Sequence, residues 1–237
     1  MTKKYILSLL FLIIASVVFA QQQISVKIWK GGKADIIEQI DSITFPNTTQ
    51  HITCIDLGLS VKWGSCNIGA ETPEAYGNYY AWGEVNTKEN YSWNKYKYYE
   101  PISKKITKYN ASDKITILEA NDDVATILLG NKWRIPTSAE MEELVKKCTW
   151  KWFEDEKTGY CGYWITGPNG NRIFLPAAGC INGNEPYAAE FYGYYWTSEN
   201  VSFENKLAVH LFFNDDKANA SNVSNRYYGF SIRPVQQ

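Results

Sequence analysis

The sequence predicts an α+β domain that follows a small β element and an N-terminal export signal. Two segments with helical apolar spacing lie in the middle of the chain, and strand-like segments flank them on both sides. Before the first helical segment, Glu71 to Tyr109 is rich in Tyr, Trp, Gly and Asn and has no helical period, which predicts long ordered loops. Because no βαβ unit repeats, an α+β class is favoured over a parallel α/β class.

The first twenty residues predict a cleaved signal peptide. Lys3 and Lys4 precede the apolar run "YILSLLFLIIASVVF", and Val18 and Ala20 occupy the −3 and −1 positions before Gln21. The run is short for a membrane anchor. We therefore expect export to the medium or the outer cell surface, with the periplasm as the remaining alternative, and no membrane insertion after cleavage.

The net charge argues against nucleic acid or anionic lipid as a partner. Cleavage removes two of the 24 basic residues and none of the 25 acidic ones, which leaves 22 against 25 and a net charge of −3. A field this weak does not attract a polyanion.

Residues 21–46 predict a short N-terminal β element. "ISVKIW" alternates as a strand does, "KGGK" is typical of a turn, and "DIIEQIDSITF" resumes the apolar pattern. Residues 47–52 form a polar linker, and residues 53–237 form the main domain. Asp41-Ser42-Ile43 matches a short O-glycosylation pattern, and a match of three residues does not decide whether it is modified.

"NDDVATILLGN" predicts a first helix, capped by Asn121 or Asp122. Its spacing places Val124, Ile127 and Leu128 on one face.

"NKWRIPTSAEMEEL" predicts a second helix, since Thr137 and Glu140 fit a capping box. Its acids are therefore assigned to capping rather than to catalysis. Arg134 is left open between an ion pair with one of these acids and a place in a pocket. By spacing, the buried face of this helix comprises Met141, Leu144, Val145 and Cys148.

Several segments predict strands. "CIDLGLSVKWGSCNIGA" favours a strand pair, and "YWITGPNGNRIFLPAAG" is typical of a hairpin that turns near Asn169-Gly170 or Gly170-Asn171. "YYWTSE", "LAVHLFF" and "YGFSIRPV" predict three more, whereas "NDDKANASN" favours a polar turn. His210 lies inside "LAVHLFF" and is expected to be a strand residue rather than a catalytic base.

The cysteine pattern excludes familiar metal motifs. Five cysteines occur, at Cys54, Cys66, Cys148, Cys161 and Cys180. Export permits disulfides, but an odd number leaves at least one thiol unpaired or intermolecular. No C-x-x-C occurs and the chain has only two histidines, which argues against zinc.

The segments "IDLGLSVKWGSCNIGA", "YGNYYAWGE", "DDVATILLGNKWRIPTSAEMEEL", "NGNRIFLPAAG", "YYWTSE" and "YYGFSIRPV" together resemble the Fibrobacter succinogenes major paralogous domain of secreted Bacteroidetes proteins. The likeness covers about residues 53 to 235 in order. That domain is similar in pattern to the C-type-lectin-like superfamily, which includes the formylglycine-generating enzymes. The resemblance implies a twisted antiparallel sheet, two helices, a long loop region, and domain ends that meet in neighbouring strands.

The resemblance implies two kinds of site, and the chain departs from both. Formylglycine generation needs a reactive cysteine pair near the C-terminal end, but no cysteine follows Cys180. C-type lectins bind calcium through a Glu-Pro-Asn-like loop and a Trp-Asn-Asp-like strand, of which Glu185, Asn214 and Asp215 are weak counterparts. Calcium is therefore a minor expectation, and no other cofactor is expected.

A metal-free aromatic surface is the remaining candidate site. Aromatic residues of the loops and late strands could form a platform for sugar or protein, although any one of them is more often a core residue. The candidates are Trp82, Tyr98, Tyr99, Tyr187, Tyr192, Tyr194, Tyr195 and Trp196. Trp63 and Trp133 lie in expected strands and are assigned to the core.

The sequence thus favours an exported, non-catalytic module that binds a glycan or a protein at the bacterial surface. A structural or adhesive component without a small ligand is the alternative, and a degenerate formylglycine-generating enzyme comes third.

Overall fold

The computed structural model describes residues 26–30, 33–37, 52–201 and 204–237. The predicted signal peptide, Asp41-Ser42-Ile43 and the linker up to His51 lie outside these residues. The chain divides into two compact units, with the boundary between Thr48 and Thr49. The first unit contains β1 (Val26–Lys30) and β2 (Lys33–Ile37), which pair antiparallel as the sequence predicts.

The described part of the second unit contains two α-helices, α1 (Val124–Leu129) and α2 (Ser138–Lys147), among many short strands, which confirms the α+β class. These strands are β3 (Cys54–Ile55), β4 (Lys62–Gly64), β5 (Tyr99–Glu100), β6 (Lys105–Ile106), β7 (Trp133–Arg134), β8 (Thr149–Glu154), β9 (Cys161–Thr166), β10 (Arg172–Pro176), β11 (Cys180–Asn182), β12 (Glu185–Tyr187), β13 (Gly193–Val201), β14 (Glu204–Phe213), β15 (Ala218–Asn225) and β16 (Val235–Gln236).

Three sheets organise this unit. A four-stranded sheet in the order β3-β4-β16-β7 places the first and last strands of the domain beside the same neighbour, β4. The two three-stranded sheets have the orders β13-β14-β15 and β10-β9-β8, and the latter contains the predicted hairpin. Two apolar clusters fill the interior: α2 packs Met141 and Leu144 into one with Trp63 and Phe213, and the loop aromatics fill the other.

Helix α1 differs from its prediction at both the cap and the face. Its N-cap is Asp123, not Asn121 or Asp122, because the Asp123 Oδ1 atom accepts hydrogen bonds from the amides of Ala125 and Thr126 at 2.9 and 3.0 Å. The cap has a second role, since Oδ2 accepts from the amide of Ile135 at 2.8 Å and joins the helix to the segment after β7.

Helix α1 packs its first turn and its last residue against the core. Val124 and Ala125 are fully buried and the partly buried Leu129 packs against the same apolar cluster, whereas Ile127 and Leu128 are each about half exposed, at 49% and 48%. The predicted apolar face is therefore wrong, because Ala125 and Leu129 take the core positions that were expected for Ile127 and Leu128.

The capping box of α2 is confirmed, and Arg134 forms an ion pair with the glutamate of that box. The Thr137 hydroxyl accepts from the Glu140 amide, and the Glu140 carboxylate accepts from the Thr137 amide. The Arg134 guanidinium donates to both oxygens of Glu140, at 2.7 and 2.5 Å. Burial would raise the pKa of Glu140, but the hydrogen bonds from Arg134 and Thr137 prevail and lower it.

The strand predictions are incomplete, since the short pairs β5–β6 and β11–β12 were not expected and three other segments also differ. Strand β8 has no counterpart among the sequence expectations, and β15 begins inside the predicted polar turn. "YGFSIRPV" makes isolated bridges at Gly229, Phe230 and Ser231 before it becomes β16. Asn and Ser are poor strand formers, so β15 owes its conformation to pairing with β14 rather than to its own propensity.

The guanidinium of Arg233 is fully buried and holds three parts of the domain together. Its nitrogen atoms donate to Asn67 Oδ1 at 2.9 Å, to the Gly64 carbonyl at 3.0 Å and to the Phe174 carbonyl at 2.7 Å. The segment before β16 is thereby tied to the end of β4 and to β10.

We expect Arg233→Met to lower the free energy of unfolding by at least about 3 kcal/mol, because three buried acceptors lose their donors. Urea unfolding followed by tryptophan fluorescence measures the change. The control is Arg172→Met, which should cost less than about 1 kcal/mol. Arg172 is exposed, and its guanidinium carbon lies 4.2 Å from the centre of the Trp164 ring. Equal losses in the two variants would contradict this role of Arg233.

Candidate binding surface

Four of the expected aromatic residues lie in the core, and for them the surface prediction is wrong. Trp82, Trp196 and Tyr195 are at most 1% exposed, and Tyr98 is 7% exposed. The Trp82 indole donates to the Thr197 carbonyl at 2.9 Å, and the Trp196 indole donates to the Tyr80 carbonyl at 2.8 Å. These rings fill the space beneath the long loops and attach the loops to the sheet. The rings therefore offer no surface to a ligand.

Tyr98 lies beside a buried carboxylate that organises the loops. Asp122 accepts hydrogen bonds from Lys97 at 2.8 Å, and from Lys108 and the Tyr109 hydroxyl at 2.6 Å each. Although burial acts to raise the pKa of Asp122, these donors prevail and hold it far below its usual range. All the charges of this cluster are engaged with one another, so we assign it a structural role.

A continuous row of rings crosses the surface of the second unit, and we call it the aromatic ridge. Its members are Phe212, Tyr192, Tyr194, Phe230, Tyr228, Tyr227, Trp93 and Tyr99. All of them are partly exposed except Phe230, which is buried beneath its neighbours.

The first half of the ridge is built on β13 and β14. Tyr194 lies directly opposite Phe212 in the strand register, and their ring centroids are 5.3 Å apart. Tyr192 contacts Phe212 at 5.5 Å, and Tyr194 stacks on Phe230 at 5.0 Å.

The second half is carried by loops and by the short strand β5. Tyr228 lies parallel to Phe230 with the centroids 5.9 Å apart, and Tyr227 follows at 4.7 Å from Tyr228. Trp93 then contacts Tyr227 at 4.9 Å and Tyr99 at 5.2 Å.

The Tyr192 end of the ridge continues into a loop that presents two more rings to solvent. Tyr187 is 59% exposed and Phe191 is 68% exposed. Between them, Ala188 and Glu190 have φ values of 58° and 73°, which are unfavourable for residues other than glycine. Strained backbone of this kind is often associated with binding loops, and here it holds two apolar rings in water.

Of the surface residues predicted from sequence, Tyr99, Tyr187, Tyr192 and Tyr194 are brought to this region. Sequence reasoning missed Trp93, Phe212, Tyr227 and Tyr228. The signal for Tyr227 and Tyr228 was available, since "RYYGF" places adjacent aromatics beside a glycine. Trp93 carried no such signal, because the contact that joins it to the rest of the ridge is with Tyr227, in a distant part of the chain.

His210 is a buried residue of β14, as predicted, and it is placed for structure. Its Nε2 atom lies 3.0 Å from the Ser224 hydroxyl and its Nδ1 atom 3.1 Å from the Leu211 carbonyl. Burial lowers the pKa of the imidazole to about 4, so the ring is neutral at physiological pH.

Burial governs the ionisation of two thiols, that of Cys148 at the end of α2 and that of Cys180 in β11. Cys54, Cys148, Cys161 and Cys180 are free, and the Cys66 thiol donates to the Ala70 carbonyl at 3.3 Å. Burial raises the pKa of Cys148 and of Cys180 to about 11, which keeps both protonated at neutral pH.

The calcium candidates lie in two separate segments of the chain. Asn214 and Asp215 follow β14, where Asn214 Oδ1 accepts from the amide of Lys217 at 2.9 Å, whereas Glu185 starts β12. Within residues 52–201 and 204–237, no three acidic, histidine or cysteine side chains gather in a way that could hold a metal ion. The calcium expectation stays a prediction.

Comparison of the chain with protein-family models, with curated proteins and with solved structures gives no match. Among the described residues, none of the helices has the length and apolar character needed to cross a bilayer.

The burial of His210 predicts a pH dependence of stability. The unfolded chain takes up a proton near the ordinary pKa of 6.5, whereas the folded chain does so only near 4. Between these values the unfolded state binds more protons, so stability falls as the pH falls. We expect a loss of about 2 kcal/mol in unfolding free energy between pH 7 and pH 5.

Urea unfolding at several pH values checks this expectation, with His210→Gln as the comparison. The variant should lose most of the slope in this window, where carboxylates contribute little. His51 lies outside the described residues and is present in both proteins. The same slope in both would show that His210 is not its source.

Proposed function

We propose that this chain is an exported, non-catalytic binding module of the bacterial surface, and that the aromatic ridge holds a glycan. The carrying observation is the ridge itself: rings from β13, β14 and two loops join into one partly exposed row. Aromatic side chains offer flat apolar area and, in tyrosine, a hydroxyl that hydrogen-bonds. Sugar rings have the matching pair of features, an apolar C–H face and a rim of hydroxyls.

The finer fold belongs to the same proposal, namely a C-type-lectin-like domain. It is supported by the pairing of β3 and β16 with β4, which joins the two ends of the domain. It is also supported by the two helices and by a long loop region between β4 and α1 that is anchored by buried rings.

The absence of catalysis is proposed on chemical grounds. A nucleophilic thiol needs a low pKa, whereas burial raises the pKa of Cys148, Cys161 and Cys180. A histidine base needs a pKa near the working pH, whereas that of His210 is about 4.

We expect the double variant Tyr192→Ala/Phe212→Ala to bind saccharides at least about tenfold more weakly, since each ring contributes roughly 1 kcal/mol of stacking. A glycan array first identifies the ligand, and calorimetry then gives the dissociation constants. The matched control is Phe153→Ala/Tyr160→Ala, which removes two rings that are 39% and 36% exposed and lie outside the ridge. Unfolding curves for all the variants separate lost binding from lost structure.

If the wild-type chain shows no saturable binding on the array, the glycan proposal fails. Copurification of such a chain with surface assemblies would then favour the structural or adhesive role.

Binding through the ridge is expected to need no metal. Addition of a calcium chelator should leave the dissociation constant unchanged within about twofold, because aromatic stacking requires no cation. The measurement is repeated after calcium is restored. Loss of all binding on chelation would instead identify a metal-dependent site of the kind that Glu185, Asn214 and Asp215 suggested.

A further inference from the structure

Strand β15 lies beside the first half of the ridge and presents polar side chains to the same face. Tyr194 pairs with Phe212, and Phe212 pairs with Asn219, so these three residues form one row across β13, β14 and β15. Residues directly opposite one another in a sheet project to the same side. His210 pairs with Asn222 in the next row, which places Asn222 beside Asn219 on that face.

Each asparagine keeps hydrogen-bonding groups available, of which the Asn219 Nδ2 group and the Asn222 Oδ1 atom have no partner among the described residues. Asn219 Oδ1 accepts from the Ser221 amide at 2.9 Å, so its Nδ2 group remains to donate. Asn222 Nδ2 donates to the Asn219 carbonyl at 3.2 Å, so its Oδ1 atom remains to accept. Asn219 is exposed and Asn222 is partly exposed, which places both free groups within reach of a ligand on the rings.

The described surroundings of this row carry a net negative charge. Strand β15, "ANASNVSN", contains no charged residue. The turn that leads into it carries Asp215, Asp216 and Lys217, and the loop beyond Tyr187 carries the exposed Glu190. Because these three carboxylates outnumber the one ammonium group, a carboxylate or sulfate on a ligand would meet net repulsion here.

We infer that the Tyr194–Phe212–Asn219 row is the primary subsite and that it takes an uncharged glycan, one sugar packing on the two rings while its hydroxyls bond to Asn219 and Asn222. This inference rests on the proposed function and adds to it the chemical class of the ligand. A hydroxyl both donates and accepts, and therefore matches the donor group of Asn219 and the acceptor atom of Asn222. An anionic glycan would be better served by the opposite end, where Lys206 Nζ lies 5.7 Å from the Trp93 ring centre.

The test compares uncharged polysaccharides, namely soluble β-glucan, mannan and xylan, with anionic ones, namely polygalacturonate, alginate and chondroitin sulfate. Affinity electrophoresis and calorimetry are carried out with the mature chain. At least one uncharged polymer should bind with saturation, and each anionic polymer should bind at least about tenfold more weakly at low salt.

Asn219→Asp then tests the subsite without disturbing the turn. The carboxylate keeps an acceptor for the Ser221 amide but removes the free donor, and binding should weaken about fivefold to tenfold. Asn131→Asp is the matched control, since it adds the same charge at an exposed asparagine between α1 and β7 and should leave binding unchanged. Equal unfolding curves confirm that both variants are folded.

The outcomes separate the two proposals. Absence of binding to every polysaccharide overturns both. Preferential binding of anionic polymers keeps the glycan module and overturns the uncharged ligand. A third outcome is that Asn219→Asp leaves the binding of an uncharged polymer intact while Tyr192→Ala/Phe212→Ala abolishes it. That outcome keeps the ridge as the binding site and overturns the asparagine subsite.

Discussion

Two buried guanidinium groups hold the C-terminal segment in the core, and the candidate site depends on both of them. Arg233 donates only to uncharged oxygens, those of Asn67, Gly64 and Phe174. Arg226 donates to the Tyr109 carbonyl at 2.8 Å, and its guanidinium carbon lies 4.7 Å from the centre of the Trp82 ring. Burial of a charge is costly unless its donors are satisfied, so each arginine stabilises the fold only with its acceptors in place. Ridge residues 227–230 lie between these two anchors, which is why loop residues can hold a fixed row of rings.

The sequence was most informative where a short segment determines its own structure. The α2 capping box joins residues only three apart, and the β9–β10 hairpin turns within a glycine-containing loop, so both were correctly predicted. The errors occur where distant partners decide. Strand β15 consists of residues that favour turns, and only its pairing with β14 makes it a strand. The N-cap of α1 is Asp123 rather than the predicted Asn121 or Asp122, and the same side chain accepts a hydrogen bond from the amide of Ile135, beyond the following turn and strand.

The candidate site shows the same division. Composition shows that aromatic residues are abundant, but it cannot distinguish a ring that is buried beneath a loop from one that faces solvent. Trp82 and Trp196 are core residues because backbone carbonyls of other segments accept their indole hydrogens. Trp93 belongs to the aromatic ridge because its ring contacts that of Tyr227, which lies near the other end of the chain. Neither set of contacts leaves a periodic trace in the sequence.

The position of β16 has a consequence for the order in which the domain assembles. This strand lies between β4 and β7, and the arginine just before it fills a space bounded by β4 and β10. Without residues 226–236, β4 and β7 lack the strand that joins them, and the carbonyl groups of Gly64 and Phe174 lack their Arg233 donor. We therefore expect folding of this unit to be a late, all-or-none event, and a chain interrupted shortly before Arg233 to expose its aromatic interior rather than yield a smaller stable domain.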